Sequence, residues 1–464
     1  MNKIYNIFFF LLLVGLYFLK PDFKSSLDSG KLLLFSSIFL GVVFFHFYKY
    51  SKIYKNWFRL DIFFLLGFGI VHFQWPIMYS ISGISPEFIA RVWVDEMYVN
   101  YGTWLSTIGV VSWVLGFSIM KTSKIKNDIT WFFNYKKLLN LTISLFVLFI
   151  ITAGKDFLTG GVYKGTGGSA AGTGISVYIR LIFSSAIILL TATIIIANKH
   201  SYKSNIIRWF ISLDKRFLIL YFSYIILFLL IGDRGGPVSL LLSSLILIGT
   251  MVRPIKFFEL TTSVVIGATL LTIISLGRSE SSGLGILNAG AEKFEYSSGY
   301  DTTLELANSV RTLYKALTEV PENQDYFYGS LWAGDLLATF PFSQSLYLNL
   351  TGIPNYKIGS AGYITYLTYG KNPSSGDGTT LIADIYLNFA LFGVINFMFF
   401  LGVFFKKTTN ELVLQNDYKW MIIAAIMASF SLYFSRSGLF VMLRPIIWSI
   451  ILAFLFVKSY KHSE

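Results

Sequence analysis

Residues 376–405 read GDGTTLIADIYLNFALFGVINFMFFLGVFF. Positions 385–405 contain no charged residue, and this run matches the roughly 20 apolar residues that a helix needs to cross a membrane. Asp384 and Asn388 are four residues apart at the start of the run, so they share one face of the helix. An N-terminal cap explains Asp377, but Asp384 lies a turn or more deeper. The stretch therefore predicts a membrane helix with functional polar groups in its first turns.

Apolar runs of this kind recur along the whole chain of 464 residues, of which 54% are hydrophobic and 14% charged. A soluble protein of this size would carry about twice that charge. We therefore predict an all-α polytopic membrane protein with about twelve transmembrane helices. The expected spans lie near residues 4–19, 31–48, 61–80, 104–120, 138–153, 177–197, 217–232, 237–251, 258–276, 380–405, 420–434 and 441–457. The first run is followed by Leu19-Lys20-Pro21-Asp22, which is no signal-peptide cleavage site, so we expect a retained anchor.

The distribution of basic residues predicts the orientation of these spans. More than half of the 38 Lys and Arg residues fall in loops on one side, which the positive-inside bias assigns to the cytoplasm. Both termini are then cytoplasmic, and the chain divides into a membrane domain of about nine helices (1–276), a large periplasmic loop (277–379) and three C-terminal helices (380–464). Within the loop, residues 292–319 have apolar side chains at helical spacing, which predicts one or two amphipathic helices against the outer surface.

Composition excludes several kinds of function. The net charge of +13 is explained by the topology signal, so we expect no nucleic-acid partner. The chain has no cysteine and only four histidines, which argues against disulfides, thiolate catalysis and metal sites built from cysteine or several histidines. We expect neither a metal nor a cofactor. The Gly-rich loop 154–176 has no nucleotide-binding spacing, so a flexible linker is a more economical interpretation than a phosphate site.

Five arginines fall at the predicted outer boundary of the membrane. They are Arg180, Arg234 in the hairpin sequence IGDRGGP (231–237), Arg278, Arg436 and Arg444. Interfacial snorkelling, or ion pairs with Glu280, Asp233 or Asp384, would explain any one of them. The positive-inside bias, however, works against placing five arginines outside without a cause. An anionic ligand, above all a diphosphate, would supply that cause, because guanidinium groups bind phosphate oxygens in bidentate geometry.

The pattern resembles the O-antigen polysaccharide polymerases, the Wzy class of oligosaccharide repeat-unit polymerases. The resemblance rests on DIYLNFALFG (384–393), on the GDRGG hairpin (232–236), on DIFFLLGFGIVHFQWP (61–76) and on the segment 354–362. It implies a GT-C-like, metal-independent glycosyltransferase of the bacterial inner membrane that uses undecaprenyl-diphosphate-linked oligosaccharides to make O-antigen or capsular polysaccharide. It also implies a flippase and a chain-length regulator as partners, besides membrane lipids.

For such a reaction the sequence offers a set of site residues. We expect Arg234, Arg278, Arg436, Arg444 and Arg180 to bind the diphosphate, since fixed cations stabilise a leaving group without a metal. Asp377 or Asp384 would act as the base, with Glu280 behind them, because no histidine is predicted in an outer loop. Tyr326, Tyr328 and Trp332 would stack on sugars or, by the simpler interpretation, form loop core or an interfacial belt.

Two alternatives stay open at this point. A lipid-linked oligosaccharide flippase has a similar length, but it should show related halves, short loops and charges deep in its central spans. An O-antigen ligase uses the same donor with a different acceptor. The large outer loop and the polar groups crowded at one boundary favour the polymerase over the flippase.

Overall fold

The computed structural model describes residues 2–82, 95–123, 129–160, 174–201, 205–281, 283–294, 301–373 and 375–463. Within these ranges most residues are helical. The α-helices are α1 (Asn2–Phe18), α2 (Ser29–Tyr54), α3 (Leu60–Ser82), α4 (Val99–Ile119), α5 (Lys136–Thr152), α6 (Lys155–Leu158), α7 (Ile175–Ala197), α8 (Ile206–Ile211), α9 (Lys215–Ile231), α10 (Gly235–Met251), α11 (Phe257–Gly277), α12 (Gly285–Phe294), α13 (Asp301–Ala307), α14 (Arg311–Glu319), α15 (Ala333–Leu337), α16 (Ser343–Thr351), α17 (Ser360–Tyr369), α18 (Leu381–Leu414), α19 (Tyr418–Phe430) and α20 (Leu443–Phe456).

Each apolar run that we predicted as a span lies mainly in one of these helices. Among the described residues, six helices are long and apolar enough to cross a membrane: α2, α3, α4 with the turn before it, α7, α11 and α18. Four more are apolar but shorter: α1, α10, α19 and α20. The chain is thus a helical, membrane-embedded protein. Helix α18 extends to Leu414, beyond the predicted end at 405, whereas α19 stops at Phe430.

Helices α4 and α18 pack with their backbones in contact. A Cβ atom on Gly116 would lie 2.0 Å from the carbonyl oxygen of Phe399, and one on Gly402 would lie 2.0 Å from that of Trp113. Glycine at both positions therefore allows an approach that any side chain would prevent. Because α4 is buried along its length, its hydroxyl groups need partners, and Thr103 and Thr107 donate to carbonyls one turn earlier.

Helix α18 is broken near its start. Phe389 (φ −141°, ψ 22°) and Ala390 (φ 55°, ψ −154°) leave the helical region, and a positive φ is a strained conformation for alanine. The large loop pairs with the carbonyl groups at this break. The amides of Phe327 and Tyr328 donate to the carbonyls of Leu387 (3.0 Å) and Asn388 (2.9 Å). The break thus ties the large loop to the first turns of α18.

The large loop packs onto the helix ends, and one of its helices enters the core. In α14, Leu313, Tyr314 and Leu317 are buried, and the ring of Tyr314 lies 2.7 Å from where a Cβ of Gly102 in α4 would be. We predicted amphipathic helices on the outer surface in this region. Instead, the apolar face of α14 is covered by α4, α17 and α18. Residues 295–300 of the predicted segment lie outside the described residues.

A second group of helices packs beside the first, with a shared core formed by α5, α7, α9, α10, α19 and α20. Strands β1 (Ile129–Asn134) and β2 (Lys458–Ser463) form an antiparallel pair at one end of this group. This strand pair is an addition to the predicted all-α architecture, which the other elements of the described residues follow. The β1 sequence ITWFFN is rich in β-branched and aromatic residues, which favour strands where no long apolar run imposes a helix.

The end of the bundle far from the large loop contains a buried charged cluster. Arg59 donates to both carboxylate oxygens of Asp61 (3.0 and 2.8 Å), and His46 lies 2.9 Å from the same carboxylate. The buried ammonium of Lys406 donates to the hydroxyls of Tyr54 and Thr122, each at 2.7 Å. These contacts join α2, the start of α3, α18 and the segment after α4, and they satisfy charges that would otherwise be costly in a membrane protein.

Candidate functional site

The candidate site lies where the helices meet the large loop, and Glu305 of α13 is at its centre. Arg234 donates to Glu305 Oε2 at 2.5 Å, and Arg278 approaches the same oxygen at 3.5 Å. The hydroxyl of Ser275 donates to it at 3.2 Å. The second guanidinium branch of Arg234 donates to the carbonyl of Leu271 in α11 at 2.9 Å. One loop carboxylate thus fixes two of the predicted arginines.

The hairpin between α9 and α10 presents Arg234 because of its glycines. Gly232 ends α9 with φ 91°, in the left-handed region that only glycine adopts readily. Asp233 follows, and its carboxylate accepts from the amide of Gly235 at 3.1 Å. The chain therefore reverses within a few residues, with Arg234 at the start of α10 and its side chain directed towards α11 and α13.

Two more arginines complete this group. Arg436, in the short turn Phe434–Arg436 after α19, is close enough to Arg234, Arg311 and Glu305 to interact electrostatically with all three. Arg311, at the start of α14, forms an ion pair with Asp377. We call Arg234, Arg278, Arg311 and Arg436, with Glu305 and Asp377, the arginine cluster. Four guanidiniums face two carboxylates, so the cluster has an excess of two positive charges.

Arg436 differs from the other three arginines of the cluster. Its side chain is exposed, and within the described part of the chain its guanidinium makes no hydrogen bond or ion pair.

Glu305 is held in its ionised form by its neighbours. Burial alone would raise the pKa of Glu305, but Arg234 and Arg278 outweigh that effect and hold the pKa of this carboxyl below its usual value. Glu305 is therefore ionised near neutral pH and already offsets one cation, whereas Arg436 is open to an added anion.

Arg180 lies beside the cluster and is already neutralised. It forms an ion pair with Asp233, and its guanidinium lies over the rings of Phe157 (5.5 Å) and Phe228 (5.2 Å). The predicted pairing of an outer arginine with Asp233 is thus present. This pair holds α7 to the α9–α10 hairpin.

Asp377 and Asp384, the predicted candidates for the base, have different surroundings. Asp377 is buried, binds Arg311 and accepts from the hydroxyl of Tyr369 at 3.2 Å. Asp384 is 1% exposed, and its Oδ2 accepts from the indole N–H of Trp332 (3.0 Å) and from the amide of Leu439 (2.8 Å). Asp384 thus anchors both the large loop and the segment before α20.

A third carboxylate, that of Asp335 in α15, lies next to Asp384. A Cβ atom on Gly438 would be 3.2 Å from Asp335 Oδ2 and 3.5 Å from Asp384 Oδ2, so both carboxylates lie against the backbone at Gly438. In the described residues, the Asp335 carboxylate accepts no hydrogen bond and forms no ion pair; only its backbone carbonyl has a side-chain donor, Thr339. Burial raises the pKa of Asp335, and nearby Arg444 partly opposes the rise.

Arg444 belongs to this second group rather than to the arginine cluster. It lies at the start of α20 with its guanidinium 5.8 Å from the ring centre of Trp448, and it interacts electrostatically with Asp335 and Tyr178. Trp448 and Tyr178 both line an apolar groove of about 370 Å³ between α7, α20 and the large loop. The other lining residues are Ile175, Ile182, Pro341, Phe342, Ile451 and Leu452.

Glu280 lies away from both groups. Gly277 and Gly290 bring α11 and α12 into backbone contact, since a Cβ on either would lie 1.9 Å from a carbonyl oxygen of the other helix. Glu280 therefore sits on the turn of this hairpin and pairs with Lys293, with both side chains exposed. In the described residues Glu280 is paired with Lys293 and not with Asp377 or Asp384, because the chain folds back directly after α11; its role behind those carboxylates stays a prediction.

The loop aromatics serve different roles. Trp332 is buried in the core of the large loop and donates to Asp384, whereas Tyr328 is 73% exposed.

Of the Gly-rich loop 154–176, residues 161–173 lie outside the described residues. In the described ranges, no three His, Cys, Asp or Glu side chains come together as a metal site would require.

Sequence reasoning missed Glu305, Arg311 and Asp335. The first two lie in the segment interpreted as an amphipathic surface helix, where charged residues need no special explanation. Asp335 follows Trp332 by three residues, and nothing else in the sequence around it indicates that it lies near Asp384.

Comparison with protein-family models, with curated proteins and with solved structures gives no match.

Proposed function

We propose that this chain polymerises lipid-linked oligosaccharide repeat units. In this proposal it is a GT-C-like, metal-independent glycosyltransferase with about twelve spans in the bacterial inner membrane, both termini in the cytoplasm and the large loop outside. It transfers a growing chain from undecaprenyl diphosphate to a new lipid-linked repeat unit of O-antigen or capsule. A flippase that delivers the repeat units and a chain-length regulator are the expected partners.

The observation that carries the proposal is the arginine cluster at the large-loop ends of apolar helices. The cluster has an excess of two positive charges, and a diphosphate ester carries about two negative charges, so the two are complementary. A lipid-borne diphosphate would lie at this depth, because its chain stays in the hydrocarbon and its charged group does not. As the sugar–phosphate bond breaks, negative charge grows on the diphosphate, and guanidiniums already in position stabilise it without reorganisation.

The second group of residues suits a lipid-linked molecule as well. The groove beside Arg444 is lined by apolar and aromatic side chains and has an unpaired cation near its rim among the described residues. We propose that it holds part of a polyprenyl chain whose phosphate lies near Arg444. Polymerisation needs two lipid-linked molecules at once, a donor and an acceptor, and the two groups offer one cationic position for each.

The test is complementation of a polymerase-null host that carries the matching sugar gene cluster, with surface polysaccharide separated on a gel. Wild type should restore a ladder of chain lengths. Arg436→Gln should reduce the ladder to a single repeat unit, because it removes the unpaired cation without breaking an ion pair of the fold. Arg444→Gln should shorten the ladder. Arg216→Gln is the matched control, since Arg216 is an exposed arginine that pairs with Asp214 far from the cluster.

Membrane abundance of every variant is measured alongside. If wild type leaves the single-repeat product unchanged, the polymerase proposal fails; rescue of a flippase-null host would then identify a transporter. If wild type restores the ladder and Arg436→Gln does so equally well, the arginine cluster is not the diphosphate site.

A further inference from the structure

The middle of the large loop is apolar where a loop in water would carry charges. Residues 336–356 contain no charged side chain, although they lie between two predicted spans. Among the described elements, α16 packs mainly against α15, and much of its apolar surface is left uncovered. The side chains of Phe340, Phe342, Leu346 and Leu350 are 60–77% exposed. A group of exposed apolar side chains of this kind marks an interaction surface.

The exposed residues of α16 fall on two neighbouring sides of the helix. Leu346 and Leu350 are four residues apart, so they project from one side, and Phe342 comes directly before the helix. Ser345 and Asn349, which are also four residues apart and exposed, form the side next to it. The helix therefore exposes an apolar side that is bordered by uncharged polar groups.

Two hydroxyl groups of this element bond within the element itself. Ser343 donates to the carbonyls of Leu337 and Phe340, and Thr351 donates to the carbonyl of Tyr347 at 2.8 Å. These hydroxyls need no water, which is the condition that a hydrocarbon environment sets for polar groups.

Contacts with two apolar helices fix the depth of this element. The indole N–H of Trp448 donates to the carbonyl of Thr339 at 2.8 Å, and the rings of Tyr178 and Phe342 are 5.9 Å apart. Tyr178 is the fourth residue of α7 and Trp448 the sixth of α20, so both contacts lie about 5–8 Å inside the ends of these helices. The loop therefore descends beside α7 and α20 instead of standing above them.

The surface around these contacts is also apolar and uncovered. Ile175 of α7 and Ile451 and Phe454 of α20 are exposed, as side chains that contact lipid would be. We propose that residues 336–351 lie in the lipid leaflet on the side of the large loop, with Phe342, Leu346 and Leu350 against acyl chains. Phe342 also lines the groove beside Arg444, which places that groove next to the same leaflet.

The experiment measures the surroundings of α16 with fluorescent labels. The chain contains no cysteine, so single cysteines can be introduced without removing any other reactive thiol. Leu346→Cys and Leu350→Cys place the label on the apolar side of α16, and Ser345→Cys is the matched control on its polar side. Phe454→Cys, at an exposed position of α20, gives the reference for contact with lipid.

Each full-length variant is reconstituted in phosphatidylcholine vesicles after its elution in size-exclusion chromatography has matched that of the wild type. One quencher is a nitroxide near the carbonyl end of the lipid acyl chain, and the other is iodide in the water. The labels at positions 346 and 350 should be quenched by the nitroxide about as strongly as the label at position 454, because the apolar side of an interfacial helix lies roughly 5–10 Å into the headgroup boundary. The label at position 345 should be quenched by it at most about half as strongly, because the polar side faces the headgroups.

Two results would overturn the proposal. Stronger quenching by iodide than by the nitroxide at positions 346 and 350 would place this side of α16 in water. Protection of both positions from both quenchers would show that protein covers them, and disulfide-linked dimers of Leu350→Cys on oxidation would then identify a second copy of the chain. The labels report position rather than activity, so failure of the chain to polymerise repeat units would leave this result unchanged.

Discussion

Gly402→Ala should weaken the contact between α4 and α18 on which the first turns of α18 depend. In the structure, the added Cβ would lie 2.0 Å from the carbonyl oxygen of Trp113 and 2.8 Å from the amide nitrogen of Phe117. Both are backbone atoms, so no side chain can rotate away, and the two helices must separate. Overpacking of this kind costs about 1–3 kcal/mol.

The matched control is Gly41→Ala. Gly41 is also inside an apolar helix, α2, but no atom lies within 4 Å of its added Cβ. Replacing glycine by alanine in an unobstructed helix should stabilise the protein by about 0.5–1 kcal/mol. The assay is the fraction of monodisperse protein that remains in detergent after heating, followed by size-exclusion chromatography. Gly402→Ala should melt several degrees below wild type, and Gly41→Ala at or above it. Equal melting of the two variants would refute the close packing of α4 and α18.

A further prediction concerns the buried carboxylate of Asp384. Asp384→Ala should lose about 2–5 kcal/mol of stability, since it leaves two buried N–H groups without an acceptor, whereas Asp384→Asn should still fold. Melting in detergent distinguishes the two, and equal melting would show that these contacts contribute little.

The apolar runs of the sequence located the helices well because a membrane helix satisfies its own backbone and needs only local information. For the same reason, the boundary position of Asp384 was visible as a polar residue inside an apolar run. Its partners were not visible, since Trp332 and Leu439 come from distant segments. The break at Phe389 and Ala390 also depends on the loop amides that pair with it, and no glycine or proline marks it in the sequence.

The arginine cluster illustrates a second limit of the sequence. Arg234, Arg278 and Arg436 could be selected because the positive-inside bias makes an outer arginine unusual. Glu305 and Arg311 could not, since charged residues on a loop helix are ordinary. Glu280 was expected behind Asp377 or Asp384, but the backbone contact between α11 and α12 directs it to Lys293.

The ion pairs of the cluster bear on how it would bind its ligand. Without a bound anion, Glu305 and Asp377 offset half of the four guanidiniums, which keeps a concentrated positive charge compatible with a stable fold. Arg436 has no such partner among the described residues, so it can meet a diphosphate without breaking a contact. Arg234 and Arg311 still have free N–H donors, but their charges are partly offset by Glu305 and Asp377, so each gains less from an added anion. Arg436→Gln should therefore impair polymerisation more through lost binding, and less through misfolding, than the same change at Arg234 or Arg311.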